Sequence, residues 1–233
     1  RLMPNIGGPN QNRRMLLSSV ITSVLTYGIS IWADALGTQK SRRKIASVYR
    51  LSALRVASAF RTVSDDAIHV IAGMLPIGIL AEERKTLYRQ RDERGEHRRT
   101  ERQNSIRRWQ IQWDSTTKGR WTHRLIPQLN LWLNRKHGEV NYYLTQMLSG
   151  HGCFRAYLYR FKHDDSPECP SCLGISEDVE HVFFVCPRFN LLRNYHQPTN
   201  KTRDFSRNDA FIDSSLGCHK HLCDASAPGT SSN

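Results

Sequence analysis

Three cysteines and one histidine in the last third of the sequence have the spacing of a metal site. They lie in the stretch CPSCLGISEDVEHVFFVC, at Cys169, Cys172, His181 and Cys186. Two cysteines separated by two residues can direct both thiolates of one tight turn toward the same ion, and a later histidine and cysteine can complete a tetrahedron. The pattern therefore predicts a structural zinc site, a zinc knuckle, with four protein ligands and no open coordination position for catalysis.

Other histidines and cysteines leave alternatives open. The four residues could be separate buried or free side chains that never meet a metal. His151, Cys153 and His163 are close enough in sequence to compete as ligands, although each stands alone. A second cluster, CHKHLC at 218–223, is spaced too tightly for one tetrahedral ion and lies in a polar tail.

The chain is strongly basic. Lys and Arg number 34 against 21 Asp and Glu, which gives a formal net charge of +13. A surplus of this size indicates nucleic acid as the first choice of partner and an anionic membrane surface as the second. The segment 35–64 contains several cations and no acidic residue. Its positive charge therefore needs a counter-charge from outside the segment. Acidic neighbours in the fold are the alternative source of that counter-charge.

Two regions supply candidate contacts to nucleic acid. In the predicted helix 41–60, arginines recur along one stripe. Around the predicted knuckle, cations are mixed with phenylalanines, and exposed rings can stack on unpaired bases while cations hold phosphates. Some of those phenylalanines, Phe183 among them, are expected to form a small core behind the zinc. The candidate contacts are Arg43, Lys44, Arg50, Arg155, Lys162 and Arg188.

Hydrophobic periodicity predicts a mainly α fold, because almost no segment alternates as a strand would. The apolar helix predicted at 13–35 is expected to be buried inside a soluble domain, since several serines and threonines dilute it. The alternative is that one apolar face of this helix stays exposed because its natural partner is absent. Ser64 is the expected N-cap of a short helix that ends at Gly73, and Pro76 opens the next helix. Asp65 and Asp66 are interpreted as helix-start residues, and no catalytic constellation is predicted.

Composition divides the chain into four parts. A helical domain is predicted at 1–90, a charged linker or solvated helix at 91–104, and a tryptophan-rich helical region at 105–195 that includes the knuckle at 169–186. A disordered tail is predicted at 196–233. The cysteines do not form the framework of a secreted domain, which favours a reducing intracellular compartment.

Several stretches resemble one known family. These are LLSSVITSVLTYGISIWADAL, FRTVSDDAIHVIAGMLPIGILAEER, GRWTHRLIP, HGEVNYYLTQMLSGHGCFRAYLYRF and the Cys-Cys-His-Cys knuckle. Together they are similar to the region after the polymerase core in non-LTR retrotransposon reverse transcriptases, above all the arthropod type-1 elements that insert into ribosomal RNA genes. The resemblance extends over residues 1–195.

The resemblance implies the C-terminal part of a polyprotein that is an RNA-directed DNA polymerase, hence a nucleotidyltransferase, and an endonuclease. It implies a thumb-like helical domain behind a polymerase palm that is missing here, and binding of RNA and DNA during target-primed reverse transcription. By position, Cys169, Cys172, His181 and Cys186 match the family's zinc ligands. The aromatic-x-Asp-Asp hairpin of the polymerase has no counterpart, so magnesium belongs to the missing core.

The resemblance also implies other partners and a location. The remainder of the parent polyprotein is an expected partner and a membrane is not, and the expected location is nuclear with a cytoplasmic ribonucleoprotein stage. The alternative function is a non-enzymatic scaffold, in which the zinc knuckle and the tryptophan-rich half bind a protein partner. In that case the positive charge would only solubilise the chain.

Overall fold

The protein is mainly helical, as predicted. A computed structural model of the 233-residue chain describes residues 3–29, 38–89, 96–135 and 139–191. Its helices are α1 Gln11–Thr26, α2 Gln39–Val56, α3 Asp65–Ala72, α4 Ile77–Arg89, α5 Glu96–Ser115, α6 Arg120–Leu125, α7 Leu129–Leu133, α8 Tyr142–Ser149 and α9 Arg155–Arg160. Two short strands, β1 Glu168–Cys169 and β2 Cys172–Ser176, pair antiparallel. A π-helical turn, His181–Val185, and a 3₁₀ turn, Pro187–Phe189, follow.

The chain forms two compact units, Arg1–Tyr142 and Tyr143–Asn233. They divide at a different place from the predicted linker at 91–104. The described part of that segment, from residue 96, is the beginning of α5. Two ion pairs hold this helix: Arg108 contacts Glu101 at 2.8 Å within α5, and Arg102 contacts Glu83 of α4 at 3.0 Å. The predicted tail at 196–233 lies outside the described residues.

The helix signals around α3 are confirmed. The Ser64 side chain accepts a hydrogen bond from the backbone N–H of Ala67 at 3.4 Å, which satisfies one of the free donors at the helix start. Gly73 ends the helix at φ +67°, a conformation that favours glycine. Between these ends the side chains of Ile68 and Ile71 are fully buried. Helix α3 is therefore part of the core of the first unit.

Tryptophans fix the segments after α5 in that same core. Trp113 of α5 is buried and donates its indole N–H to the carbonyl of Ile126 at 2.8 Å. Trp132 of α7 donates to the carbonyl of Val70 at 2.7 Å, which connects α7 to α3. The first part of the predicted tryptophan-rich region therefore belongs to the first compact unit.

A buried arginine holds the N-terminal segment of the first unit. Arg14 donates to the carbonyls of Pro4 at 2.5 Å, Pro9 at 2.6 Å and Arg55 at 2.9 Å. Because guanidinium offers five donors in a fixed plane, one side chain can satisfy three carbonyls at once. A Cβ at Gly8 would overlap the Pro4 oxygen and this guanidinium, so glycine is required there. The segment before α1 is thereby fixed to the end of α2.

Helix α1 differs from the buried helix predicted at 13–35. It runs only from Gln11 to Thr26, and residues 30–37 lie outside the described chain. Leu16, Val20 and Val24 are 69%, 61% and 70% exposed. Spaced four residues apart, they form an apolar ridge on one face of α1, whereas the residues that α1 buries are Arg14 and Ser18. The expected burial was therefore wrong for this face, since Arg14 and Ser18 make the buried contacts with α2 while the three apolar residues are exposed to solvent.

In the described part of the chain, no helix has both the length and the apolar content needed to span a membrane.

Candidate metal centre

A small hairpin positions the first two predicted ligands. Cys169 ends β1 and Cys172 begins β2, and the two residues are direct partners across the ladder. The next pair is Glu168 with Ser176, so β2 has extra residues between the two pairs and bulges. The turn at Pro170 and Ser171 therefore places both thiols on the same side of the hairpin end.

The other two ligands come from the turn that follows. The Asp178 carboxylate accepts a hydrogen bond from the backbone N–H of His181 at 2.8 Å, which starts the π-helical turn. The backbone N–H of Cys186 donates to the His181 carbonyl at 2.7 Å, so the turn closes at the next ligand. Pro187, which follows directly, has no N–H to continue the bonding. These bonds bring His181 and Cys186 back to the hairpin.

The four ligand atoms meet. They all lie within 4.8 Å of one another, and the Sγ atoms of Cys169 and Cys186 are 3.7 Å apart. Tetrahedral zinc with Zn–S bonds of about 2.3 Å requires sulfurs separated by about 3.8 Å. Cys169, His181 and Cys186 are buried and Cys172 is half-buried. The predicted ligand set could therefore hold one metal ion.

The chemistry of the donor set supports a metal. Both ring nitrogens of His181 are buried and have no hydrogen-bond partner. An unsatisfied buried polar group destabilises a fold by roughly 1–3 kcal/mol, and coordination by one nitrogen would remove part of that penalty. Burial, followed by the thiols of Cys186 and Cys169, raises the pKa of Cys172 to about 11. A bound cation would reverse this effect, because it stabilises thiolates.

The other candidate ligands stay outside the cluster. Within the described residues, the group formed by Cys169, Cys172, His181 and Cys186 is the one His, Cys, Asp or Glu cluster able to share an ion. The His151 ring packs on Tyr157, with centroids 4.9 Å apart. The CHKHLC stretch at 218–223 lies outside the described residues.

A small apolar core supports the turn, as predicted. Phe183 is buried and contacts the edge of Phe154, with ring centroids 6.3 Å apart. Phe189 is also buried, whereas Phe161 and Phe184 remain partly exposed. Phe183 and one further phenylalanine of the turn region therefore pack behind the cluster, and the exposed rings stay candidates for other contacts.

Two of the predicted nucleic-acid contacts are engaged in the fold around the cluster. Arg155 binds both carboxylate oxygens of Asp164 and donates to the Glu168 carbonyl at 2.9 Å. Arg188 contacts the buried carboxylate of Glu177 at 2.9 Å. The sequence could not reveal these pairs, because the partners lie 9 and 11 residues apart in irregular segments. The third candidate here, Lys162, is exposed.

The nucleic-acid contacts predicted on α2 also divide into exposed residues and one residue that is engaged in the fold. Arg43 and Lys44 are exposed, and Arg50 is half-buried. Arg50 pairs with Asp65 and donates to the carbonyls of Arg61 at 2.8 Å and Val63 at 2.5 Å. It therefore fixes the loop between α2 and α3. The six residues stay predicted contacts, but three of them also hold the fold together.

Comparison with known proteins identifies relatives in insects. The chain is 29% identical over 203 residues to a 115 kDa protein in type-1 retrotransposable element R1DM of Drosophila melanogaster, covering 78% of this chain and 20% of that protein. It is 26% identical over 198 residues to a Pol polyprotein from type-1 element R1 2 of Nasonia vitripennis, covering 77% and 48%. A Pol polyprotein from element R1 of Bradysia coprophila is 25% identical, covering 77% and 20%.

These matches extend over most of this chain but over less than half of each of the three relatives. No protein-family model matches the chain, and no solved structure matches it significantly. The similarity to polyproteins of type-1 elements agrees with the resemblance carried by the quoted motifs. The chain is thus homologous to part of the Pol polyproteins of R1 type-1 retrotransposable elements.

Proposed function

We propose that this chain is a nucleic-acid-binding segment of a retrotransposon reverse transcriptase and endonuclease polyprotein. It holds template RNA and target DNA during target-primed reverse transcription. The homology to R1 polyproteins is the observation that carries the proposal. In this proposal the polymerase and endonuclease chemistry, with its magnesium, belongs to other parts of the polyprotein. The location is nuclear, with a cytoplasmic ribonucleoprotein stage.

The charge distribution supports nucleic-acid binding. The sequence carries a net charge of +13, and Arg43 and Lys44 present exposed cations side by side on α2. Exposed cations can neutralise phosphates and release counterions, which supplies most of a sequence-independent affinity. Lys162 supplies a further exposed cation close in sequence to the knuckle. In this proposal Arg50, Arg155 and Arg188 contribute mainly by fixing the loops that carry the contacts.

Zinc would act in this proposal as a structural ion. Cys169, Cys172, His181 and Cys186 would hold it, and with four protein ligands no position remains for substrate. The hairpin β1–β2 has strands of only two and five residues, and in the described chain it belongs to a two-stranded sheet. Such a hairpin is marginal alone, so the ion would keep the aromatic and basic residues of the knuckle in place.

The first unit has the role of a thumb in this proposal, and α1 faces the remainder of the polyprotein. The apolar ridge of α1, formed by Leu16, Val20 and Val24, is exposed to solvent. A row of exposed apolar side chains at helical spacing suits contact with another protein surface. The relatives are much longer than the matched segment, so they contain other parts that could cover this ridge.

The test is the salt dependence of binding to a single-stranded RNA. The logarithm of the RNA-binding constant falls with the logarithm of the salt concentration, and each single-strand phosphate contact contributes about 0.7 to the steepness of that fall. Replacing both Arg43 and Lys44 by alanine should therefore make the slope less steep by about 1.4. The control, Arg107→Ala with Lys118→Ala, removes the same charge from other exposed positions of the first unit. Equal slopes in all three proteins would contradict the assignment of α2.

The alternative is a zinc-knuckle scaffold for protein partners, and one observation favours it. Apolar residues next to the ligands are exposed: Leu173 is 91% exposed, and Ile175, Phe184 and Val185 are also exposed. Binding of a protein partner with an affinity that changes neither with salt concentration nor with added competitor RNA would support the scaffold. Binding that weakens steeply with salt would support the nucleic-acid function.

A further inference from the structure

The chain leaves α9 through a residue with a strained backbone. Lys162 has φ +59°, in the left-handed region that glycine adopts without strain. Its N–H donates to the carbonyl of Tyr159, and the N–H of His163 donates to that of Leu158, both at 2.9 Å. These two bonds form the Schellman motif, in which glycine is the usual residue at the position of Lys162. A lysine there therefore destabilises the second unit relative to glycine.

The described residues do not account for a lysine at this position. Its side chain is exposed, and in the described part of the chain its ammonium group contacts no carboxylate. Asp164, two residues further on, is held by Arg155. Ser58, the other non-glycine residue with a positive φ among those described, is buried, so packing constrains its side chain. Because strained residues cluster at functional sites, Lys162 indicates a contact that the described chain does not contain.

The ring next to Lys162 is held in place and is partly exposed. Phe161 packs on Tyr157 with centroids 4.9 Å apart, and Tyr157 packs on His151 at the same distance. The guanidinium carbon of Arg160 lies 5.8 Å from the centroid of the Phe161 ring. Phe161 is nevertheless 40% exposed. Since neighbours already hold this ring, little side-chain freedom is lost when a flat group stacks on its exposed part.

The exposed ring lies between two cations in the sequence. Arg160, Phe161 and Lys162 are consecutive, and all three are exposed. In single strands, unstacked bases can stack on aromatic rings while cations hold the phosphates. In a duplex the bases are paired and stacked on each other, so a phosphate could reach Lys162 but a base could not reach Phe161. The combination therefore suits a single strand better than a duplex.

We propose that Phe161 and Lys162 bind one nucleotide of a single-stranded nucleic acid, with its base on the ring and its phosphate on the ammonium group. The proposal rests on the proposed nucleic-acid function and deepens it. It names the unpaired strand as the substrate class and the end of α9 as the place of contact. Lysine is retained at this position, despite its strained backbone, because glycine has no cation to offer a phosphate.

The test measures amide exchange and RNA binding for the same variants of the whole chain, supplied with zinc. Replacing Lys162 by Gly relieves the backbone, so the amides of α9 should exchange more slowly. The same variant should bind a single-stranded RNA more weakly, with a salt slope less steep by about 0.7, the contribution of one phosphate contact. Lys162→Arg keeps both charge and strain and should retain the exchange rates and the slope. Lys118→Gly, which removes an exposed lysine of the first unit, is the matched control and should retain the slope.

A second variant tests the ring. Phe161→Leu keeps an apolar side chain but removes the flat surface. It should bind the single strand about tenfold more weakly, equivalent to about 1.4 kcal/mol, with an unchanged salt slope. Its affinity for a duplex of the same sequence should not change, because stacking on Phe161 requires an unpaired base. Phe161→Tyr returns a ring to the position and should restore the affinity for the single strand.

The outcomes separate this site from the proposed function. If RNA binding is salt-dependent but the Lys162 and Phe161 variants bind as the unchanged chain does, the site is overturned and the proposed function stands. A chain that binds neither the single strand nor the duplex would overturn both. Equal changes of slope in the Lys162→Gly and Lys118→Gly variants would also overturn the site, since position would then have no effect. Exchange of the α9 amides that is no slower in Lys162→Gly would contradict the retention of a strained lysine for binding.

Discussion

Arg155 holds both carboxylate oxygens of Asp164, with Nε 3.0 Å from Oδ2 and Nη2 2.8 Å from Oδ1. The same guanidinium donates to the carbonyl of Glu168, the residue before the ligand Cys169. One side chain therefore ties α9, the loop at Asp164 and strand β1 together. The Arg155 guanidinium also holds the pKa of Asp164 below its usual range, chiefly through these hydrogen bonds. The pair stays charged wherever the protein is folded near neutral pH.

Replacing Arg155 by Lys should weaken metal binding. Lysine keeps the charge but cannot bind two carboxylate oxygens and a carbonyl in one plane, so β1 loses its support. We expect the second unit to lose about 1.5 kcal/mol of stability, the lower end for hydrogen bonds to charged groups, since the pair is partly exposed. Competition for zinc against a chromogenic chelator measures the effect. Arg160→Lys, on the exposed side of α9, is the control and should bind zinc as the unchanged chain does.

The ligand cluster should bind about one zinc ion per chain, and the Cys172→Ser variant should lose this bound zinc. Hydroxyl is a poor substitute for thiolate, and structural zinc contributes on the order of 10 kcal/mol to the folds that it holds. Metal analysis after dialysis measures the content. The control is Cys218→Ser, which removes a cysteine outside the cluster and also tests the CHKHLC alternative. If the Cys218 variant lost its zinc and the Cys172 variant kept it, the zinc site would belong to the CHKHLC stretch instead.

Acidification should release the ion, because ligand thiols must give up their protons to bind it. Burial and the neighbouring thiols raise the pKa of Cys172 to about 11 when no cation is present, so protons compete strongly for this sulfur. We expect zinc occupancy to fall steeply as the pH is lowered from about 7, and to recover when the pH is restored. Zinc retained at about pH 4 would be inconsistent with thiolate ligands.

The sequence was sufficient for the local features. The ligand spacing predicted a cluster that the fold brings together, and Ser64 and Gly73 marked the ends of α3, because both signals depend on residues close in sequence. Long-range pairs were not predictable in this way. The Arg50 pair with Asp65 joins two helices, and nothing in either helix alone reveals it. The predicted phosphate-binding stripe on α2 therefore contains one arginine, Arg50, whose contacts stabilise the fold.

Periodicity also could not tell which face of α1 is buried. Leu16 and Val24 have the spacing of a core face, yet they are exposed, while Ser18 hydrogen-bonds Ser52 at 2.6 Å in the interior. The pattern gives the direction of an apolar face but not whether this chain covers it. The predicted boundary at 91–104 stays a prediction, and the charged segment from residue 96 begins α5, in which Arg102 pairs with Glu83 and Arg108 with Glu101.

Gly8→Ala should destabilise the first unit much more than Gly7→Ala. A Cβ at Gly8 would overlap the Pro4 carbonyl and Arg14, whereas a Cβ at Gly7 meets open space. Gly7 has φ +65°, so alanine there carries only the strain of the left-handed region, about 1–2 kcal/mol. At Gly8 the carbonyl contacts of buried Arg14 must also shift, adding roughly 1–3 kcal/mol for each acceptor left unsatisfied. Urea denaturation of both variants measures the difference, and equal midpoints would contradict the role of Arg14.

Stability of the first unit should decrease as the pH falls below about 6.5, the ordinary pKa of histidine, because of His69. This ring is buried, stacks on Tyr49 with centroids 5.6 Å apart, and has an Nε2 without a partner. Burial lowers the pKa of His69. The hydrogen bond to the Asp65 carbonyl and the negative charges of Asp65 and Asp66 oppose this shift, whereas the positive charge of Arg50 adds to it. A histidine whose folded pKa is depressed lets the unfolded chain bind the proton first, so stability is lost below the unfolded pKa and levels off below the folded one.

The variant His69→Phe should remove most of this pH dependence between about pH 7 and pH 5, since phenylalanine can keep the stacking on Tyr49 but cannot bind a proton. Denaturation midpoints at about pH 7, 6 and 5 measure it. His163→Phe is the control, because His163 is exposed and lies in the other unit, and it should retain the full dependence of the unchanged chain. If the His69 variant loses stability on acidification as steeply as the control, the proton is taken up elsewhere, and the buried ring has no part in the response.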